Sequence, residues 1–230
     1  MNSVSSAGNF SIETKNKIQA GLNRLNQVLP LKARQNSLSP ELAQLHRDIL
    51  QSYITLGRSL NRAELAQQTA DIKTATSLLK ENDLVVFDLQ GEPLGAYPFT
   101  MEKREHQVLV NGHKLYSMCA LDALSISPMF NASLEIHSQC RVTGQAIKIK
   151  QQGYSILNAQ ELAEIYFAID WNAASANTCC ADSLCTEMIF LKGKELARNW
   201  CGEEAEHRQL YSLPEAIQFG AGFFVPLMQK

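Results

Sequence analysis

His113-Lys-Leu-Tyr-Ser-Met-Cys119-Ala-Leu-Asp122-Ala-Leu-Ser-Ile126 (HKLYSMCALDALSI) changes its periodicity part-way along. His113 to Ser117 follows an Asn111-Gly112 pair, the strongest short signal for a hairpin turn, and reads as a return strand from Gln107–Val110. From Met118 onward the apolar residues no longer alternate, and the segment reads as a helix carrying Cys119 and Asp122. Residues three apart on a helix share a face, so a thiol and a carboxyl are expected side by side where the strand becomes a helix. With Cys119 in the first turn, the positive end of the helix is expected to lower its pKa and favour the thiolate. The plainer alternative makes Cys119 a buried core thiol among Leu115, Ala120 and Leu124, with Asp122 solvated.

The residues before this stretch predict a helical front. Ile18, Leu22, Leu25 and Leu29 recur at helical spacing between Phe10 and Leu29. Pro30 and the polar LKARQNSLSP interrupt them. Ser39-Pro40-Glu41 then opens a helix to about Leu56, where Gly57 stops it. Asn61 caps a short helix through Gln68, a second spans Ile72–Lys80, and strands Leu84–Leu89 and Leu94–Phe99 flank a Gln90-Gly91 turn. Helix, turn, helix and hairpin is the outline of a winged helix. Residues 1–9, small and polar, are expected to be disordered.

Behind that front the texture is of short strands: Ser133–Ser138, Gln145–Lys150 across a Thr143-Gly144 turn, Gly153–Ile156, Ile165–Ile169 and Glu187–Leu191. A helix around Pro214–Phe219, with Ser212 near its start, closes the chain. The expected fold class is α+β, with residues 1–102 a winged-helix-like domain and 103–230 a core of mixed or antiparallel sheet with short helices.

Composition narrows the function. The 230 residues are 45% hydrophobic and 19% charged, with a formal net charge of −2, as in a soluble globular protein. Between Gln51 and Lys80 the basic Arg58, Arg62, Lys73 and Lys80 face Glu64 and Asp71, a net charge of +2 that is thin for a phosphate-binding surface, so no nucleic-acid partner is expected. The N-terminus lacks the basic start and apolar run of a signal peptide, and the apolar Phe219–Met228 stretch is broken by Gly and Pro and too short to span a bilayer. No membrane partner is expected, and the expected location is the cytoplasm.

Six cysteines remain to be explained: Cys119, Cys140, Cys179, Cys180, Cys185 and Cys201. In a reducing compartment such residues are buried, catalytic or metal-binding more often than disulfide-bonded. Zinc is disfavoured, since no CxxC pair or Cys/His knuckle occurs. Cys185, opening CTEMIFL before an apolar strand, is the leading partner for Cys119. Cys179 and Cys180, in the polar ANTCCADSLC, are two further candidate metal-ligating thiols. Cys140 reads as a strand-end core residue, and Cys201 carries no signal. Two soft thiolates and one carboxyl are the minimum set for cleaving a carbon–mercury bond: the thiolates bind mercury and push negative character onto carbon, and the acid protonates that carbon as it leaves.

LYSMCALDAL resembles the signature of the alkylmercury lyase (organomercurial lyase) family, a tyrosine preceding a Cys-Ala-Leu-Asp run. SQCRVTGQAI, LGRSLNRAELAQ with its following hairpin, and SLPEAIQFGAGF are similar to that family's next strand, N-terminal winged helix and C-terminal helix. The resemblance implies a catalytic set of Cys119, Asp122 and Cys185, with mercury held by both thiols and contacted by Asp122. Cys185 is preferred to Cys179 or Cys180 because Trp200 lies fifteen residues beyond it, keeping the apolar strand in register. Met118 and Leu184 stand where the family often has aromatics, and Cys179-Cys180 falls in an apparent insertion. The resemblance further implies an organomercurial substrate, low-molecular-weight thiols for turnover, a mercuric reductase as candidate downstream partner, and no organic cofactor. Two rival readings are a soft-metal-capturing homologue without catalysis and a winged-helix sensor of thiol-reactive agents.

Overall fold

The computed structural model describes residues 10–174, 180–202, 204 and 206–229. Ser11 caps α1 (Ile12–Val28) by accepting the Thr14 N–H, and Ser39 caps α3 (Pro40–Leu56), which ends at Gly57 in the left-handed conformation. Between them lies α2 (Leu31–Asn36), where the sequence suggested only an interruption. Pro30 follows the end of α1, as expected, and immediately precedes this second helix. Tertiary contacts stabilise it, because buried Gln35 donates to Leu227 O at 2.9 Å and lies 2.9 Å from His46 Nδ1.

Helices α4 (Arg62–Ala66) and α5 (Ile72–Glu81) follow, then strands β1 (Val86–Phe87) and β2 (Pro93–Ala96). They supply helix, turn, helix and hairpin in the expected order, although α4 is shorter than the expected Asn61–Gln68 helix and β1 is only the centre of Leu84–Leu89. Glu64 completes a reciprocal cap with Asn61 and is held by Arg58, which together draw its pKa down to about 2.

The remaining strands are β3 (Phe99–Thr100), β4 (His106–Val110), β5 (His113–Ser117), β6 (Ser133–Gln139), β7 (Ala146–Gln152), β8 (Ser155–Ile156), β9 (Ile165–Asp170), β10 (Met188–Lys192) and β11 (Arg208–Ser212). With β1 and β2, six of these form an eight-stranded sheet in the order β1-β2-β3-β5-β4-β6-β7-β8, and β10-β9-β11 form a second. Every pairing is antiparallel, so the class is α+β with antiparallel rather than mixed sheets. β3 joins β2 to β5, so the N-terminal hairpin and the core strands share one sheet. The Asn111-Gly112 turn has φ of 50° and 78°, the positive pair that a two-residue hairpin loop demands.

At the centre lies α6 (Ala120–Phe130), with nine residues buried. A helix apolar all round has to be enclosed. One side meets α8 (Leu213–Met228), the other the strands β4 to β7 and β10. Ile147, Ile149 and Gln151 of β7 point inward on alternate positions, and Gln151 donates to Leu124 O of α6 at 2.8 Å. The helix expected at Pro214–Phe219 thus runs on through Met228, because its apolar residues cover α6 and α1. Two further elements went unforeseen. α7 (Lys194–Cys201) carries one apolar stripe in a charged segment, and β11 is too polar to read as a strand yet is paired along β9.

Helices α6 and α8 pack closely at Gly220, where an added Cβ would collide with Ser125 Oγ, a hydroxyl already donating to Leu121 O at 2.6 Å. Gly220→Val is therefore expected to destabilise the fold by about 1–3 kcal/mol through overpacking, read as a lowered denaturant midpoint with an unchanged slope.

Candidate active site

The site forms where the two thiol-bearing segments meet. Cys119 terminates β5 and caps α6: its Sγ accepts the Asp122 N–H at 3.4 Å, occupying the position usually taken by a Ser or Asp oxygen. The same turn brings the Asp122 side chain back beside the thiol. Cys185 lies in a short 3-10 turn, Leu184–Glu187, immediately before β10. That strand is anchored to the end of β6, where Arg141 N–H donates to Phe190 O at 3.0 Å and Lys192 N–H donates to Cys140 Sγ at 3.3 Å. Buried Cys140 thus holds the strand behind Cys185, consistent with its expected structural place.

Cys119, Asp122 and Cys185 come together with one donor atom from each within 4.8 Å of the other two, and all three are buried. They are the only group of three or more His, Cys, Asp or Glu side chains among the described residues arranged to hold a metal ion. Two soft sulfurs and one oxygen at this spacing suit a soft, thiophilic metal better than a hard cation.

The surroundings add Met188 and Arg104, to which the sequence did not point, and Cys180, which it offered as a further metal-ligating thiol. Met188, expected only to pack, places its Sδ 3.5 Å from Cys119 Sγ, within reach of a weak hydrogen bond from the thiol. Cys180 Sγ stands 3.5 Å from Cys185 Sγ, also buried. Arg104 lies close enough for its positive charge to favour ionised Asp122, while it donates to Ala181 O at 2.9 Å and pairs with Glu102 and Asp182 at 3.2 Å. No spacing rule links Arg104 or Cys180 to Cys119; only the fold does. Cys179, the other member of the vicinal pair, lies outside the described residues, and Cys201 is turned away, its Sγ donating to Arg208 O at 3.2 Å.

Burial sets the protonation states, and it reverses one expectation. The helix terminus does reach Cys119 through the Asp122 N–H, but desolvation outweighs it and pushes the thiol up to about 12, with the Asp122 charge adding to the rise. Cys185 is also raised well above 9.0, by hydrogen bonding with Cys119 and Cys180 and by desolvation. Both are therefore thiols at neutral pH until a metal displaces their protons. Desolvation also lifts Asp122 from 3.8 to about 7, against the hydrogen bonds from Cys119 and the charge of Arg104 that hold it down. Asp122 Oδ2 is buried with no hydrogen-bond partner among the described residues. An acid poised near neutrality, with one oxygen uncommitted and two thiols beside it, can both take a proton and give one.

A cavity of about 180 Å³ lies between the N-terminal hairpin and the Cys180–Asp182 turn, lined by Val86, Leu94, Thr100, Arg104, Met118 and Ala181 among others. Met118 and Ala181 are the chain neighbours of Cys119 and Cys180, so the thiols lie just behind its wall. Met118→Ala is expected to speed thiol modification by an aryl-disulfide reagent severalfold in the folded protein, measured under conditions where Cys201→Ser sets the background.

This α+β fold, with two buried thiols and a carboxyl poised for proton transfer at the junction of its sheets, defines a thiol-based soft-metal site of the kind that can act on a metal–carbon bond. The MerB (alkylmercury lyase) family model matches residues 99–225, more than half of the chain, and the chain belongs to that family. It is 24% identical over 207 residues to the alkylmercury lyase of Bacillus cereus, covering 90% of each chain, and 25% identical over 186 residues to that of Pseudomonas putida, covering 80% of this chain and 84% of the other. Its fold is also that of the mercury-bound form of MerB2, with a TM-score of 0.68 at 22% identity over 86% of this chain and 98% of the other.

Proposed function

We propose that the chain is an organomercurial lyase that cleaves the carbon–mercury bond by protonolysis. The observation carrying this reading is the cluster itself: Cys119, Cys185 and Asp122 within 4.8 Å, with one carboxyl oxygen unpartnered.

The substrate arrives as an organomercurial thiolate. Cys119 sulfur bonds to mercury while its proton goes to the departing low-molecular-weight thiolate, which leaves as a thiol. Ionised Asp122 then removes the Cys185 proton as that second sulfur bonds to mercury. Two sulfur donors load electron density onto the mercury-bound carbon, and the excluded water leaves Asp122 as the near acid. Asp122 returns the proton to carbon, the hydrocarbon departs, and Hg(II) stays on Cys119 and Cys185 with Asp122 ionised as at the start. The cycle draws on no organic cofactor. Exogenous thiols complete the turnover, and a mercuric reductase is the downstream acceptor this product calls for.

No helix among the described residues is long and apolar enough to cross a membrane. We place the protein in the cytoplasm, whose reducing thiol pool keeps Cys119 and Cys185 able to bind mercury.

The deciding test supplies methylmercury with excess thiol. Methane and Hg(II) are expected in equal amounts, and tight retention of intact methylmercury without methane would mean a capture protein instead.

A further inference from the structure

Cys180 plays no part in the cleavage just described, yet it is built into the site. Its Sγ is 3.5 Å from Cys185 Sγ, and the residue after it is fixed at both backbone ends. Ala181 N–H donates to the Tyr97 hydroxyl at 3.0 Å, and Ala181 O accepts from Arg104 at 2.9 Å. These two anchors come from the residue after β2 and from the segment before β4, and they fix the turn that carries Cys180. Ala181 and Asp182, which follow Cys180, line the 180 Å³ cavity, as does Met118 beside Cys119. Residue exposure rises from 1% at Cys119 to 4% at Cys185 and 6% at Cys180. Cys185 Sγ thus has Cys119 Sγ within 4.8 Å and Cys180 Sγ at 3.5 Å.

We propose that Cys180 is an exit thiol, which takes the Hg(II) product from Cys119 and presents it, still held by Cys185, at the cavity side. This deepens the lyase reading and rests on it. Once the hydrocarbon has left, the Cys180 sulfur bonds to mercury, the Cys119–mercury bond breaks, and the proton lost by Cys180 ends on the Cys119 sulfur. Mercury stays Hg(II) throughout. Two low-molecular-weight thiols then displace Cys185 and Cys180 in turn, each giving its proton to the cysteine it frees. Thiol-for-thiol exchange at a soft metal changes neither the number nor the kind of donors, so nothing in the sequence opposes it.

The proposal predicts a second two-sulfur site that survives loss of Cys119. The test loads one equivalent of mercuric chloride onto Cys119→Ser and onto Cys119→Ser/Cys180→Ser, both in a Cys179→Ser background so that the neighbouring thiol cannot substitute. Retention is then measured against increasing free thiol, with thermal unfolding confirming that both variants fold. A second preorganised thiol should let Cys119→Ser retain mercury against at least about 100-fold more competing thiol than the double variant. X-ray absorption should count two sulfurs on mercury in the first and one protein sulfur in the second. Equal retention, or one protein sulfur in both, would overturn the exit thiol. Methane release by the wild type is read separately, so failure of the lyase reading is told apart from failure of the relay.

Discussion

Asp122→Asn is expected to lower hydrocarbon release by about 10²–10⁴-fold, the usual worth of a positioned general acid–base, while mercuric ion still binds. Asparagine keeps the shape and the helix position but can neither take the Cys185 proton nor return one to carbon. Since both thiols are protonated at neutral pH, the wild type needs Asp122 ionised before the second sulfur can bind. Its pKa of about 7 therefore predicts that kcat/KM rises as pH approaches 7 and levels off above it. The residual activity of Asp122→Asn should lack that acid limb. A limb unchanged in the variant would assign it to another group.

The same shift has a consequence for stability, with an opposite sign to activity. An acid whose folded pKa lies above its unfolded value makes the folded state bind more protons, so stability falls as pH rises from the ordinary value toward the raised one. Between pH 3.8 and about 7 wild-type stability is thus eroded by ionising Asp122, by on the order of 4 kcal/mol at most. Asp122→Asn removes that burden and should gain on the wild type as pH rises through this range. A catalytically dead variant that is more stable at pH 8 would separate chemistry from folding.

How much of this could be read beforehand depends on how local the determining contacts are. The Asn111-Gly112 hairpin, the Ser39 cap and the Cys119–Asp122 turn are fixed by neighbouring residues, and their spacing was legible. The stretches that misled are those settled at long range. LKARQN forms α2 because Gln35 finds partners on α3 and α8, and polar RQLYS becomes β11 because β9 offers it a pairing edge. The site divides in the same way. The resemblance in the Cys-Ala-Leu-Asp run and the Cys185–Trp200 register pointed to Cys119, Asp122 and Cys185, and the fold clusters these three residues. The protonation state of Cys119 was not legible, because the helix-terminus argument takes no account of enclosure by Met118, Met188 and α6. Cys180 was a candidate ligand on sequence, but its place beside Cys185 was not legible, since the turn that carries it is held through Ala181 by Tyr97 and Arg104, some eighty residues earlier.

Because Cys185 neighbours both Cys119 and Cys180, Cys185→Ser is expected to be the most damaging single thiol replacement. Serine preserves the size of the side chain but exchanges a soft donor for a hard one, so mercury keeps a single thiolate while carbon is still attached. With less charge pushed onto carbon, Asp122 has a poorer proton acceptor, and hydrocarbon release should fall by about 10³-fold or more, as when one member of an interdependent catalytic set is removed. Cys119→Ser should be as severe for bond cleavage, but the two variants part company over the product. Cys119→Ser leaves Cys185 and Cys180 as a pair 3.5 Å apart, whereas Cys185→Ser removes the sulfur that stands beside both Cys119 and Cys180. Cys185→Ser should therefore lose both methane production and retention of mercuric ion against competing thiol, Cys119→Ser only the first, and Cys201→Ser neither. Methane production surviving in Cys185→Ser would show that mercury is gripped by a different pair of sulfurs, and would move the active site away from the Cys119–Asp122–Cys185 cluster.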